Sequence, residues 1–189
     1  MKKKLILASA SPRRHELLRM ISPDFIVAHG KDVEEVYPTD LKPESVPEFL
    51  SKLKASAYLE DLKDDDILIT ADTVVILDGE ILGKPHSRDE AVAMLTKMQN
   101  REHIVVTGVT ISTNKSQESF SQTTLVMFDK LSQQEIEYYV DNFRPYDKAG
   151  AYGIQEWIGA AAIIGIKGSF YNVMGLPVHA LYERLKAYN

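Results

Sequence analysis

Ser9, Ser11, Arg13 and Arg14 put two hydroxyls and two guanidinium groups on one short stretch, between the apolar run Leu5–Leu7 and a helical pattern opened by Pro12. Helix-end amides and arginine forks both favour phosphate oxygens, so the chemistry this stretch predicts is anion binding. Positive charge at a helix N-terminus opposes the macrodipole, which leaves a purely structural Arg13 and Arg14 with an unfavourable placement to explain. Asp72 follows the largely apolar Ile67–Ala71 and is predicted to sit at a strand end, where open α/β sheets bind ligands. The alternative is a turn-capping aspartate, although Thr73 and Val74–Leu77 follow without a polar turn. Lys84 is pinched between Gly83 and Pro85, while Glu35 and Lys54 lie in polar, charged settings. Gln155, in a nearly apolar stretch, reads as a buried amide that needs partners for donor and acceptor. Together these groups suit phosphoanhydride hydrolysis: cations neutralise a polyphosphate, and carboxylates hold a divalent cation and orient water.

Composition narrows the class. A chain of 189 residues can bury one substantial core, as one domain or a bilobed one. A net charge of -5 argues against stable nucleic-acid binding, so any polyanion must meet a local basic patch. There are no cysteines, which excludes disulfides, thiol catalysis and Cys-type zinc sites and fits a cytoplasmic location. The apolar stretch after Met-Lys-Lys-Lys is too short for a signal peptide, and no run reaches the length of a membrane span. Walker-type, dinucleotide-binding, metalloprotease and nucleophile-elbow motifs are missing, and the five histidines show no metal-ligand spacing. His15 reads as a surface residue rather than a base.

The elements that must position these residues follow from periodicity. Leu5–Leu7 is a buried strand, with Ser11 as N-cap of the helix behind it. Phe25–Ala28 is a second short strand, Gly30–Pro47 a loop and Glu48–Leu62 a helix. Ile67–Ala71 and Val74–Leu77 are strands, and Asp78-Gly79 turns the latter back into Glu80–Leu82. Capping boxes at Ser87–Glu90 and Ser132–Glu135 open two helices. His103–Thr113 and Ser119–Phe128 form a long hairpin. The stretch from Asp147 to Gln155 is a glycine-punctuated loop or short strand. Gly159–Ile166 is a buried strand, and Pro177 opens the last helix. The expectation is an α/β fold with a mixed sheet, covering helices and a cleft.

Five segments, Leu7-Ala-Ser-Ala-Ser-Pro-Arg-Arg14, Ala71-Asp-Thr-Val-Val75, Gly83-Lys-Pro85, Asp147-Lys-Ala-Gly-Ala-Tyr-Gly-Ile-Gln155 and Gly168-Ser-Phe-Tyr-Asn-Val-Met-Gly-Leu-Pro177, closely resemble, in order, those of the Maf family of nucleotide pyrophosphatases. The resemblance covers essentially the whole chain as one Maf-like domain with two lobes around a cleft. It implies an elongated α/β fold similar to the inosine triphosphate pyrophosphatases, commonly a homodimer, with a central mixed sheet flanked by helices. It further implies metal-dependent hydrolysis (Mg²⁺ or Mn²⁺) of a nucleoside triphosphate to the monophosphate and pyrophosphate. Asp72 falls on the family's proton acceptor and, with Glu35, on its metal-binding acids. Lys54 and Lys84 fall on its catalytic lysines, and Ser9 and Arg13 on the phosphate-binding stretch. Glu34 and Lys52 are close competitors for Glu35 and Lys54.

Arg14, Thr73 and Gln155 match the branch that hydrolyses dTTP and UTP, and the branch acting on a methylated GTP differs there. Uracil and thymine present carbonyls flanking an N3–H, an edge that a Gln amide with Arg or Thr donors complements. Two departures stand out: Glu156-Trp157-Ile158 where the family is often glycine-rich, and Asn100 in place of a frequent Gly. The competing function is a nucleotide-sensing regulator tied to cell division that binds without useful turnover; a surface interaction module ranks behind both.

Overall fold

The computed structural model describes residues 3–188. One seven-stranded sheet carries the strand order β2-β1-β3-β5-β6-β7, with β4 paired to β3. The strands are β1 (Lys4–Leu7), β2 (Ile26–Val27), β3 (Asp66–Leu77), β4 (Glu80–Leu82), β5 (Glu102–Ser112), β6 (Gln117–Phe128) and β7 (Ile163–Lys167). β1 pairs parallel with β2 and β3, whereas the β3–β4 and β6–β7 pairs are antiparallel. The helices are α1 (Pro12–Arg19), α2 (Val46–Ser56), α3 (Arg88–Met98), α4 (Gln133–Phe143), α5 (Trp157–Ala162), α6 (Phe170–Met174) and α7 (Val178–Leu185). No helix among the described residues is long and apolar enough to cross a membrane.

The chain divides into two compact units. The first draws on the chain up to Thr73, on Thr107–Gln122 and on the segment from Gly175. Its core is built from Leu5, Leu7, Leu17, Leu18, Leu50, Ile69 and Leu181, all buried. The second holds Val74–Val106 and Thr123–Met174. There α3 and α4 pack on one another over a core that includes Leu95, Met98, Val126, Ile136, Tyr139 and Ile158.

Local chemistry explains most elements. Asp78 and Gly79 both take positive φ, 52° and 81°, as a two-residue hairpin turn matched to strand twist requires. The Ser132 box is complete, with the hydroxyl accepting from Glu135 N–H and Glu135 reaching back to Ser132 N–H. At Ser87 only half forms: the hydroxyl accepts from Glu90 N–H, but Glu90 turns to His86 N–H. Asn100 adopts φ 57°, a left-handed conformation that Asn tolerates.

Five expectations are corrected. The strands Ile67–Ala71 and Val74–Leu77 are one, β3, because Asp72 and Thr73 find side-chain partners instead of ending the run. Gly159–Ile166 is not a strand throughout: α5 occupies Trp157–Ala162 and extended chain begins at Ile163. Gly159 lets that helix close, since a Cβ there would fall 1.7 Å from Ile154 O. The helix expected over Glu48–Leu62 is α2, which starts at Val46 with Pro47 in its first turn and stops at Ser56. Ser11 stands at the N-cap of α1 with extended backbone, but its side chain makes no capping bond. The short strand expected at Phe25–Ala28 narrows to an exposed Ile26–Val27.

Gly108 on β5 sets how closely α2 approaches the sheet, for a Cβ there would lie 2.2 Å from Glu48 N. Backbone cannot yield as a side-chain tip can. Gly108→Ala is therefore expected to cost on the order of 3 kcal/mol or more, read as a lowered urea midpoint at unchanged m.

His103 is buried between Phe128 and Tyr152, its Nε2 2.7 Å from the Tyr152 hydroxyl. Burial pulls its pKa down to about 4, so it stays neutral in the fold while the unfolded imidazole protonates near 6.5. The unfolded state then binds more protons between those values, so this residue's contribution falls as pH drops from about 6.5 to 4. The stability difference between wild type and His103→Gln should shift by about 2 kcal/mol against wild type between pH 7 and pH 5, measured by urea unfolding at each pH.

Candidate active site

β3 is buried on both faces along its length except at Asp72 and Thr73, which are half-buried. Successive strand residues project to opposite faces, so this pair opens the strand in two directions at once. Thr70 and Asp72 share the face that α2 covers. Thr70 Oγ1 donates to Ser51 O at 2.7 Å, and the Ser51 hydroxyl pairs with Thr110 on β5 at 2.7 Å. These bonds pin the middle of α2 over β3 and β5. One helical turn later, Lys54 reaches Asp72 Oδ1 at 2.5 Å and Glu35 Oε1 at 3.0 Å. Lys52 points elsewhere and pairs with Glu48 at 2.8 Å on the exposed side of its helix. The structure thus brings Glu35, Lys54 and Asp72 together, and the competition from Lys52 is resolved by helix phase.

Thr73 lies on the other face. Its hydroxyl accepts from Arg14 Nη2 at 3.0 Å and pairs with Thr107 Oγ1 at 2.9 Å. Arg14 also donates through Nη1 to Ala71 O at 2.9 Å and through Nε to Gly175 O at 2.8 Å. Gly175, at φ 113°, turns its carbonyl to this fork, and Ser9 Oγ lies 3.5 Å from Nη1. Burial, then the neighbouring Arg13, lowers the Arg14 pKa against the pull of Asp72 and Glu35. Arg14 therefore works as a brace more than as a free anion hook. Ser9 is fixed from two more sides, accepting from Ser11 N–H at 3.2 Å and holding His15 Nε2 2.6 Å from its carbonyl. That contact makes His15 a donor through Nε2.

Lys84 and Gln155 belong to the second unit, and both are exposed. Gln155 is not the buried amide its apolar neighbours implied. The chain turns at Gly153, with Glu156 N–H bonded to Gly153 O at 3.0 Å, and this lifts Gln155 outward. His15, read as a surface residue, is half-buried with its ring nitrogen on Ser9 O, and sequence reasoning missed Thr107 and Ser51, whose hydroxyls meet Thr73 and Thr110 from distant chain. Gly175 lies inside the family-like segment Gly168–Pro177, and its position there was the available signal.

Residues 4–188 match the sequence pattern of the Maf-like protein family over nearly the whole chain. The chain belongs to the Maf family. A relative from Porphyromonas gingivalis named dTTP/UTP pyrophosphatase is 54% identical over 187 residues, 98% of this chain and 94% of that protein. Another of the same name from Bacteroides thetaiotaomicron is 50% identical over 185 residues, 98% of this chain and 96% of that one. Among solved structures, the Staphylococcus aureus Ham1 protein aligns with a TM-score of 0.58 at 20% identity, covering 99% of this chain and 100% of that one. That likeness establishes the mixed α/β Ham1-like fold for this Maf chain.

Arg14→Lys tests the brace. One ammonium cannot serve Gly175, Ala71 and Thr73 together, and each stranded buried acceptor costs about 1–3 kcal/mol. A loss of about 3 kcal/mol in urea unfolding is expected.

Proposed function

We propose that this chain is a nucleoside triphosphate pyrophosphatase that hydrolyses dTTP and UTP to the monophosphate and pyrophosphate. The observation that carries it is Asp72, the acid at the one half-open point of an otherwise buried strand, held against Lys54 beside Glu35. Close relatives named dTTP/UTP pyrophosphatase over almost the full chain support the substrate class.

Asp72 takes the proton of the water that attacks the α-phosphorus, and pyrophosphate leaves. Lys54, in contact with both carboxylates, spreads positive charge toward the phosphates. Arg13, Lys84 and Ser9 bind the remaining phosphate oxygens, as the family likeness implies. Glu35 and Asp72 are hard oxygen donors of the kind that suits Mg²⁺ or Mn²⁺. Among the described residues no group of three or more His, Cys, Asp or Glu is placed so that it could hold a metal ion. Such a cation would accordingly take its other ligands from phosphate oxygens and water, as Mg²⁺ does at many nucleotide sites. When bound, it would neutralise charge on the phosphates. Thr73 and Gln155 read the pyrimidine, and Arg14 contributes by fixing Thr73, whose hydroxyl accepts the guanidinium N–H. A cytoplasmic homodimer completes the reading, as the family likeness implies.

Purified protein with Mg²⁺ or Mn²⁺ should release pyrophosphate from dTTP and UTP, identified by ion chromatography. Chelation should stop it, and Asp72→Asn should lower kcat by at least about a hundredfold while the fold persists. Orthophosphate as the first product would refute the proposal.

A further inference from the structure

Glu156 stands where the family is often glycine-rich, and the structure surrounds it with partners. Tyr139, completely buried on α4, donates its hydroxyl to Glu156 Oε2 and accepts Gly153 N–H at 3.0 Å. Its ring stacks on Phe143 with centroids 5.1 Å apart and on Trp157 at 6.4 Å, which leaves it no freedom to swing. Lys148, also buried, places its ammonium 3.1 Å from Glu156 Oε1 and 2.7 Å from Asp147. Burial and then the Glu156 bond push the Tyr139 phenol upward, so it remains a protonated donor.

One phenol oxygen therefore ties both ends of the Gly153–Glu156 turn, which its own 3.0 Å backbone bond closes. Gln155 rides on that turn. Its Nε2 and the Glu156 carboxylate flank the same point above Gly153, since a Cβ there would lie 2.9 Å from Gln155 Nε2 and 3.1 Å from Glu156 Oε2. A carboxylate only accepts hydrogen bonds, so it favours the NH₂ end of the neighbouring amide and disfavours the flipped form. The carbonyl end is then left for the ligand. Uracil and thymine offer an N3–H donor to such a carbonyl, whereas cytosine offers an unprotonated N3 that repels it.

We propose that Glu156, held by Tyr139 and Lys148, is a specificity-determining positioning residue that locks the orientation of the Gln155 amide and so rejects cytosine nucleotides. This deepens the dTTP/UTP reading and rests on it.

The test is steady-state pyrophosphate release from UTP and CTP by wild type, Glu156→Gln, Tyr139→Phe, Gln155→Ala and the Glu156→Gln/Gln155→Ala double variant. Glu156→Gln keeps shape and an acceptor for Tyr139 but adds a donor, which permits the flip. Its UTP:CTP ratio of kcat/KM is expected to fall about tenfold through KM, with kcat for UTP within about twofold. Tyr139→Phe should move the ratio the same way by about fivefold, and the double variant should match Gln155→Ala alone. An unchanged ratio in Glu156→Gln and Tyr139→Phe, or a fall that adds to that of Gln155→Ala, would overturn the proposal while leaving the pyrophosphatase reading intact. A wild type that releases no pyrophosphate would overturn that reading, and this one with it.

Discussion

A buried backbone carbonyl must be given a donor, and β3 creates that demand at its centre. β1 pairs with it only through Ile69, and β4 takes it up from Val75. Where β1 bends away toward Ser9, Arg14 supplies the missing donor to Ala71 O and spends its other N–H groups on Thr73 and Gly175 O. A single guanidinium thus joins the first helix, the middle of β3 and the turn before α7. Its planar fork explains why this role falls to arginine. The same demand accounts for the basic residue at a helix N-terminus: the macrodipole cost is small beside three part-buried acceptors.

The other face of β3 is organised by hydroxyls. Thr70 and Thr110 grip Ser51 from two neighbouring strands, and Gly108 removes the side chain that would hold α2 away. Close approach converts a helix register into a distance, so that Lys54 meets Asp72 and Glu35 while Lys52, on another face, meets only Glu48. The acidic pair and its lysine are consequences of packing that itself carries no charge. Thr73, one residue on, faces Arg14 and Thr107, so adjacent residues serve chemically distinct surroundings.

In the second unit the logic differs. Gln155 is presented by a turn rather than by a strand, and turns are free to move unless something fastens them. Tyr139 does so from the interior, with Lys148 and Glu156 forming a charge pair whose members are both hydrogen-bonded. Lys148 keeps Asp147 as a partner when Glu156 is neutralised, whereas loss of the Lys148 charge leaves the Glu156 carboxylate without its ion pair.

The residues of the candidate site were legible as types. Asp72 at the end of an apolar run, Arg14 after Ser-Pro, and Lys84 between Gly and Pro all announce themselves in one dimension, as do the turn at Asp78-Gly79 and the box at Ser132. Their motifs carried the family. What stayed hidden were relations set by distant chain: that Asp72 lies within a continuous strand, that Lys54 rather than Lys52 meets it, and that Gln155 faces solvent. The helix at Trp157–Ala162 escaped because an apolar run has the same pattern in a strand as in a buried helix. Local sequence fixes turns, caps and charges through interactions a few residues long. Which donor finds which acceptor across 161 residues, as Arg14 finds Gly175, is decided only when the packed chain leaves that carbonyl no other partner.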